Sequence, residues 1–524
     1  MRKKILFIIS AVFLSFICLY QIANIPGLNG DAAWFMSKTL DIKAHGLLKN
    51  ISGMGNYTGV LHPYLMYLTN LIFSDLVAAG RILNLFSVIL IIFLIIKLLK
   101  NQIGENNIIL LILLFTLNPF NFGFFRIAWP HSLLPLFSIL GIFLFLKYIR
   151  TQKVIFIIYT LIIAGLGTQL HPVMFLQVIF YIFYILIYQR PLAKKIIFSK
   201  TFIILAICFV IGSFSVIIFN TAAVKRLFSI HFNTIVNFGF FKVFNTLLFR
   251  FIDYTKIFLY NFTGLRALQY FSGIIFENIF ITSILLIFSI LLLLSAFKNC
   301  LAKNNILTNI FGMHTLFFFF VIPFFLEFGG FNMHKFRLGE ERIFLIITPT
   351  IFINFILVIN NLKNTIKKIF YSFTILIIAV NIFNISYNYF YNFKTTGGNG
   401  EYCYYINQRD IKLIAAEFIS TKFSDTDTLI FVQDYWLYWP LKIYLHNSNF
   451  EIYYAPKCKI PREGFPKIND FTELYDTYKN RNLIFVFWYN YNDLPIAEEI
   501  QKLKLINTIE KTDKFKALYI FQKN

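Results

Sequence analysis

Apolar stretches of membrane-spanning length recur along most of this chain, at about residues 5–20, 80–99, 107–124, 131–148, 154–170, 172–188, 196–219, 274–297, 305–326, 342–359 and 366–388. Hydrocarbon offers no partner to a backbone N–H or C=O, so such runs of about 20 residues cross it only as helices that satisfy their own hydrogen bonds. The expectation is a polytopic α-helical membrane protein with about eleven spans. Composition excludes a soluble globular fold: 58% of the 524 residues are hydrophobic, 67 of them Phe, and the mean hydropathy is +0.68.

Charge sets the orientation. Met1-Arg2-Lys3-Lys4 precedes the first apolar run, so that end is expected in the cytosol; Ser15-Phe16-Ile17-Cys18 lacks a small-x-small cleavage pattern, so the segment reads as an uncleaved anchor. Residues 62–77 include Asn70 and Asp75 and are too short to span, which suggests an amphipathic helix on the outer surface. With that assignment the short inner connections are Lys97–Lys100, Lys147–Lys153, Arg190–Lys200, Lys298–Lys303 and Lys363–Lys368, and every one is basic. Before residue 392 there are 31 Lys and Arg against 9 Asp and Glu; from 392 onward there are 17 against 16. A basic excess on the hydrophobic part alone fits anionic lipid headgroups and gives no reason to invoke nucleic acid.

Two domains are expected: residues 1–391 in the membrane, with an outer loop at 23–78 that carries surface helices, and 392–524 as an extracytoplasmic α/β domain. The second opens on Thr396-Gly397-Gly398-Asn399-Gly400, has strand-like runs at Thr428–Gln433, Asn482–Trp488 and Ala517–Gln522, and helical patterns at Ile411–Lys422 and Leu494–Leu505. The five Cys have no metal-ligand spacing; Cys403 and Cys458 are the two open to a disulfide in an oxidising compartment. The protein is expected in a bacterial inner membrane.

Asp31, in Gly30-Asp31-Ala32-Ala33-Trp34, falls just beyond the first apolar segment on the outer side. A carboxylate there is costly unless solvated or paired, and it is a natural general base toward a hydroxyl attacking a membrane-held substrate. The simpler reading is a loop Asp that caps the next helix. In the tail, Gln433-Asp434-Tyr435-Trp436-Leu437-Tyr438-Trp439-Pro440 is an aromatic cluster that either stacks on sugar rings or packs the domain against the membrane.

Gly30-Asp31-Ala32-Ala33-Trp34-Phe35, leading to Leu40 and His45-Gly46, resembles the first outer loop of GT-C glycosyltransferases of the protein-mannosyltransferase and aminoarabinose-transferase type. The order continues with His62-Pro63-Tyr64 on a surface helix, Ala78-Ala79-Gly80-Arg81, the turn Arg126-Ile127-Ala128-Trp129-Pro130-His131-Ser132, Gly167-Thr168-Gln169-Leu170-His171-Pro172, and Arg342-Ile343-Phe344-Leu345 with Pro349. The resemblance implies transfer of a sugar from a polyprenyl-phosphate donor to a hydroxyl of a lipid, glycan or protein, with inversion and with Asp31 as base; because Ala32 stands where many relatives have a second acid and no acidic cluster is near, the transfer is expected to need no metal and no cofactor. The leaving lipid phosphate calls for fixed cations, and Arg126, Arg342 and Arg81 stand where the pattern marks them; interfacial snorkelling is their simpler role. His62, His131 and His171 at outer membrane edges are candidates to line a shared cavity, and Glu327, ending a span, is a reserve base. The sequence departs from the pattern in having Ala32 where many relatives have a second acid, and His131 where some have an Asp.

A transporter or flippase for a lipid-linked sugar is the competing function. It calls for ionisable residues at the bilayer midplane or inverted half-repeats, whereas the charges here are read at helix edges and no half-repeat is visible.

Overall fold

The computed structural model describes residues 19–46, 58–192, 200–219, 251, 254–272, 278–302, 305–328, 340–398, 405–406, 409–455, 471–488, 497–510, 514 and 516–523. The first apolar segment up to Cys18, together with Cys403 and Cys458, lies outside the described residues, as does the side chain of Glu327.

A helix occupies each apolar stretch expected from residue 80 onward. Among the described residues five are long and apolar enough to cross a membrane: Leu76–Leu99, Pro130–Thr151, Ile279–Cys300, Arg342–Asn360 and Asn364–Thr396. Val154–Leu170, Pro172–Tyr188, Ile203–Ile217 and Ile306–Ile322 are apolar but shorter. The straight span expected over 107–124 is instead broken into Glu105–Thr116 and Pro119–Phe125, bent by 61°. The cause is local: Pro119 disfavours helical geometry at Asn118, which is extended, and the Asn118 side chain accepts from the N–H of Phe120 to start the second piece. Phe86, Ile89, Leu90 and Phe93 on one helix, and Ile203, Ile207, Ile211 and Phe214 on another, are exposed stripes that only a lipid environment would leave uncovered. This is an integral membrane protein.

Between the helices runs a polar network that the sequence reading missed. His314, well inside the helix Ile306–Phe328, hydrogen-bonds Thr350 Oγ1 (3.1 Å) and Gln177 Oε1 (2.9 Å), and Gln177 donates to the Tyr181 hydroxyl. Asn354 donates to Thr315, and Asn299 donates to Asn354. The charge-at-edges expectation is therefore corrected at His314. Both its ring nitrogens are used to join three helices, as polar residues do where no hydrophobic force separates helix from lipid.

Among the described residues of the loop expected at 23–78 there are two helices before the one that starts at Leu76. The loop helix, Gly30–His45, starts at Asn29, whose side chain accepts from the N–H of Ala32, and stops at Gly46, whose positive φ of 74° lets its N–H return to the carbonyl of Ile42. The surface helix, Leu61–Asn70, buries His62, Pro63, Met66 and Thr69 and leaves Leu68, Leu71 and Ile72 exposed beside it, as an interfacial helix does. It ends short of the expected 77 because Asp75 caps the following helix through the N–H of Ala78.

The tail forms a five-stranded sheet from β1 (Thr428–Val432), β2 (Glu451–Tyr454), β3 (Asn482–Trp488), β4 (Lys504–Glu510) and β5 (Lys516–Gln522), in the order β2-β1-β3-β5-β4. The first three strands are parallel and the last two antiparallel. Among the described residues, the helix expected over Leu494–Leu505 covers Ala497–Gln501 and ends before Leu505, because 504–510 turn into β4 and form a hairpin with β5.

This domain rests on the outer loop. Its docking helix, Tyr435–Tyr444, packs across the loop helix. Beside it, Asp410 accepts from the N–H of Leu28 (2.6 Å) and the Tyr444 hydroxyl (2.8 Å), and pairs with the buried Lys412 at 3.3 Å. A buried ion pair is tolerable when its spare lone pairs are bonded, as here. Asp434 starts the docking helix, accepting from the N–H groups of Trp436 and Leu437 and from Trp488 Nε1 of β3. Asp434→Ala strips three donors of their acceptor and should cost the full-length protein about 2–4 kcal/mol, whereas Asp434→Asn keeps an acceptor and should cost under about 1 kcal/mol. Chemical denaturation followed by tryptophan fluorescence would check this, and equal stability of the two variants would remove the cap from the account.

Candidate active site

Asp31 is the second residue of the loop helix. The cap is Asn29, so the simple capping role considered for Asp31 is already filled by its neighbour. A carboxylate in a first helical turn is favoured by the macrodipole. Asp31 is partly exposed, and its Oδ1 accepts from the Tyr435 hydroxyl of the docking helix at 3.1 Å.

Asn29 joins this carboxylate to the rest of the site. Its Oδ1 also accepts from Trp129 Nε1 (3.0 Å), and its Nδ2 lies 3.5 Å from the Tyr270 hydroxyl. The Arg342 guanidinium sits over the Trp129 ring at 4.7 Å, a cation–π contact. His131 also packs against Trp129, 6.1 Å between ring centroids, and its ring centroid is 4.8 Å from that of His171. His62 packs edge-on against Phe35 of the loop helix at 5.2 Å. The turn 126–131 and the start of the helix at 342 are thus brought to the end of the loop helix that carries Asp31.

Arg81 and Arg126 are placed differently. Arg81 donates to the carbonyls of Ile22 and Pro26, each at 2.6 Å, and Arg126 to those of Tyr20 (2.7 Å) and Ile25 (3.0 Å). Arg126 is also caged by Phe390 (5.3 Å), Phe122 (5.6 Å) and Tyr389 (5.9 Å). Both side chains are buried, and both fasten residues 20–26, which lead to Asn29. Gly80 belongs to the same joint: a Cβ there would stand 2.7 Å from Ala128 and 2.9 Å from Met66, so glycine is what lets the helix approach the 126–131 turn.

His171 Nδ1 accepts from the N–H of Val173, which places a proton on Nε2 when the ring is neutral. Neither ring nitrogen of His62 or of His131 has a hydrogen-bond partner among the described residues, although both side chains are buried. Burial holds His62 down to about 3, and burial followed by the Arg342 charge holds His171 there too. An unfolded chain takes up these protons near 6.5 and the folded one only near 3. Between those values the unfolded state binds more protons, so stability falls as pH falls. We expect up to about 1.4 kcal/mol lost per pH unit per imidazole below pH 6.5 or so. Thermal midpoints of purified protein between pH 7.5 and 5 would show it, and a flat profile would mean the rings are hydrated. Among the described residues no group of three or more His, Cys, Asp or Glu is arranged to hold a metal ion.

Asn29, Trp129, Tyr270 and Tyr435 were not assigned from sequence. Asn29 could have been, since an Asn before Gly-Asp at a helix start is a cap signal. The Tyr435 contact joins residues 404 positions apart and leaves no local trace.

Residues 58–214 match the family model of dolichyl-phosphate-mannose-protein mannosyltransferases, a segment that holds His62, Arg81, Arg126, His131 and His171 but neither Asp31 nor Arg342. The whole chain superposes on two crystal structures of ArnT from Cupriavidus metallidurans, one in the apo state and one bound to undecaprenyl phosphate. Each is 12% identical, covers 99% of this chain and 97% of the other, and has a TM-score of 0.50. No curated protein sequence matches the chain. The chain therefore shares the ArnT fold over nearly its whole length, and within that fold residues 58–214 match the mannosyltransferase family model.

Proposed function

We propose that the protein is an inverting, metal-independent glycosyltransferase that moves a sugar from a polyprenyl-phosphate donor to an acceptor hydroxyl on the extracytoplasmic face. Asp31 takes the acceptor proton as the hydroxyl attacks the anomeric carbon, the bond to the lipid phosphate breaks, and the phosphate leaves with the bonding pair. Arg342 meets the charge that grows on that phosphate. The nitrogens of His62 and His131, buried and without a hydrogen-bond partner among the described residues, supply neutral N–H donors for a phosphate oxygen. Arg81 and Arg126, spent on loop carbonyls, serve as the frame that holds the loop helix in place.

The carrying observation is the joint at Asn29, which bonds at once to the helix of Asp31 and to the indole that holds Arg342. Undecaprenyl phosphate bound by a neighbour of the same fold supports a lipid-phosphate donor. Charge and packing support this choice of membrane side. The tail docks on the Asp31 helix, so the two share a face, and the basic connections Lys97–Lys100 and Lys363–Lys368 lie at helix ends on the other. The bacterial inner membrane fits this arrangement.

The test is an assay of purified full-length protein with a panel of radiolabelled undecaprenyl-phosphate sugars and total envelope extract as acceptor. Release of free lipid phosphate with label appearing in a new product of opposite anomeric configuration is expected. Retention of configuration, or label that crosses a vesicle membrane still attached to its lipid, would replace the reading, the latter with a flippase.

A further inference from the structure

We propose that Tyr435 of the tail domain is a positioning residue for Asp31, so that the catalytic site is complete only when the tail is docked. The inference rests on Asp31 being the base. It starts from the single contact across the domain boundary at that carboxylate: the phenol donates to Oδ1 at 3.1 Å, while Oδ2 makes no hydrogen bond among the described residues. A carboxylate held by one oxygen has its torsion set and its other oxygen available to a hydroxyl.

The phenol is itself held from behind. Asp434, immediately before it, accepts from the N–H groups of Trp436 and Leu437, and from Trp488 Nε1 at 3.0 Å. The N–H of Trp488 donates in turn to Gln433 Oε1 at 2.8 Å. Tyr435 is therefore attached through β3 to the middle of the tail sheet. Trp436 and Trp439 flank its ring edge-on at 5.5 and 6.4 Å. A group fixed by such a shell holds its partner to within a few tenths of an ångström, which an unsupported loop side chain does not.

The membrane side is shaped to receive it. A Cβ on Gly30 would stand 2.8 Å from two atoms of the Tyr435 ring and 3.0 Å from the Trp436 ring. Glycine beside Asp31 is thus what lets the phenol lie close enough to reach the carboxylate. The buried Asp410–Lys412 pair, with its bonds to Leu28 and Tyr444, fixes the same interface a few residues away. The tail accordingly acts as the outer wall of the site.

Four full-length proteins test this with the undecaprenyl-phosphate sugar that wild type turns over: wild type, Tyr435→Phe, Asp31→Asn and the double variant. Tyr435→Phe keeps the ring packing and loses only the hydroxyl. Its kcat should fall about 10-fold with KM for the donor within about twofold and an unchanged thermal midpoint, since misplacing a reacting group acts on the chemical step. In the Asp31→Asn background the same substitution should cost nothing further, because the carboxylate it serves is gone. Gly30→Ala should reproduce the kcat loss by pushing the ring away. Tyr435→Phe at the wild-type rate overturns the inference and leaves the base reading standing. An equal loss in both backgrounds also overturns it, by showing that the phenol acts elsewhere. Full activity in Asp31→Asn removes the base and the inference together.

Discussion

Asp31→Asn should leave a folded, membrane-inserted protein whose transfer rate is lower by about 10²–10⁴-fold, the usual worth of a general base. The fold is insulated from the change because Asn29, not Asp31, caps the loop helix, accepting from the N–H of Ala32 at 2.9 Å. An amide oxygen at position 31 still accepts from the Tyr435 hydroxyl, so the contact with the tail survives as well. What the amide lacks is the capacity to take a proton. The loss should therefore appear in the chemical step, with donor affinity and thermal midpoint near wild type, and initial rates on purified protein would show it. Activity within about threefold of wild type would eliminate Asp31 as the base, and loss confined to a Glu327→Gln control would move the role there.

Arg342→Ala and Arg126→Ala should fail in opposite ways. Arg342 lies partly exposed over the Trp129 ring with His131 and His171 in its field, and its removal should cost about 2–4 kcal/mol of transition-state stabilisation, a 30- to 900-fold slower transfer or thereabouts, at nearly unchanged stability. Lys at 342 should restore only part, since a point charge lacks the guanidinium fork. Arg126 is buried, bonded to two carbonyls and caged by three aromatic rings; its removal should cost about 3 kcal/mol or more of stability. Rates and thermal midpoints measured together on both variants decide the matter. A stable but inactive Arg126→Ala alongside an active Arg342→Ala would relocate the phosphate site to the turn at 126.

Arg126 and Arg342 looked equivalent in sequence, with Arg81 behind them, because each of the two begins or borders a span within the same motif order. What separates Arg342 from Arg81 and Arg126 is the path of residues 20–26, which folds back over the last two and offers them carbonyls. A segment rich in turns has no periodicity from which such a path could be read. The same limit hid Tyr435: the cluster 433–440 announced an aromatic surface, and only the docking of the helix onto Gly30 gave it a partner.

By itself the sequence determined the membrane class, the positions of the apolar helices from residue 80 onward, the short helix that begins near residue 62 and most of the tail strands. Each of these follows from local hydrophobicity and chain period, quantities that neighbouring residues carry. Tertiary structure alone decided that Asn118-Pro119 breaks a span by 61°, that His314 joins three helices inside the bundle, and which arginine packs on Trp129 while the other two bond loop carbonyls. It also decided that the tail closes over Asp31. Those outcomes depend on contacts between residues tens to hundreds of positions apart, where a single side chain can find either a backbone carbonyl or a substrate and its own sequence neighbourhood is the same in both cases.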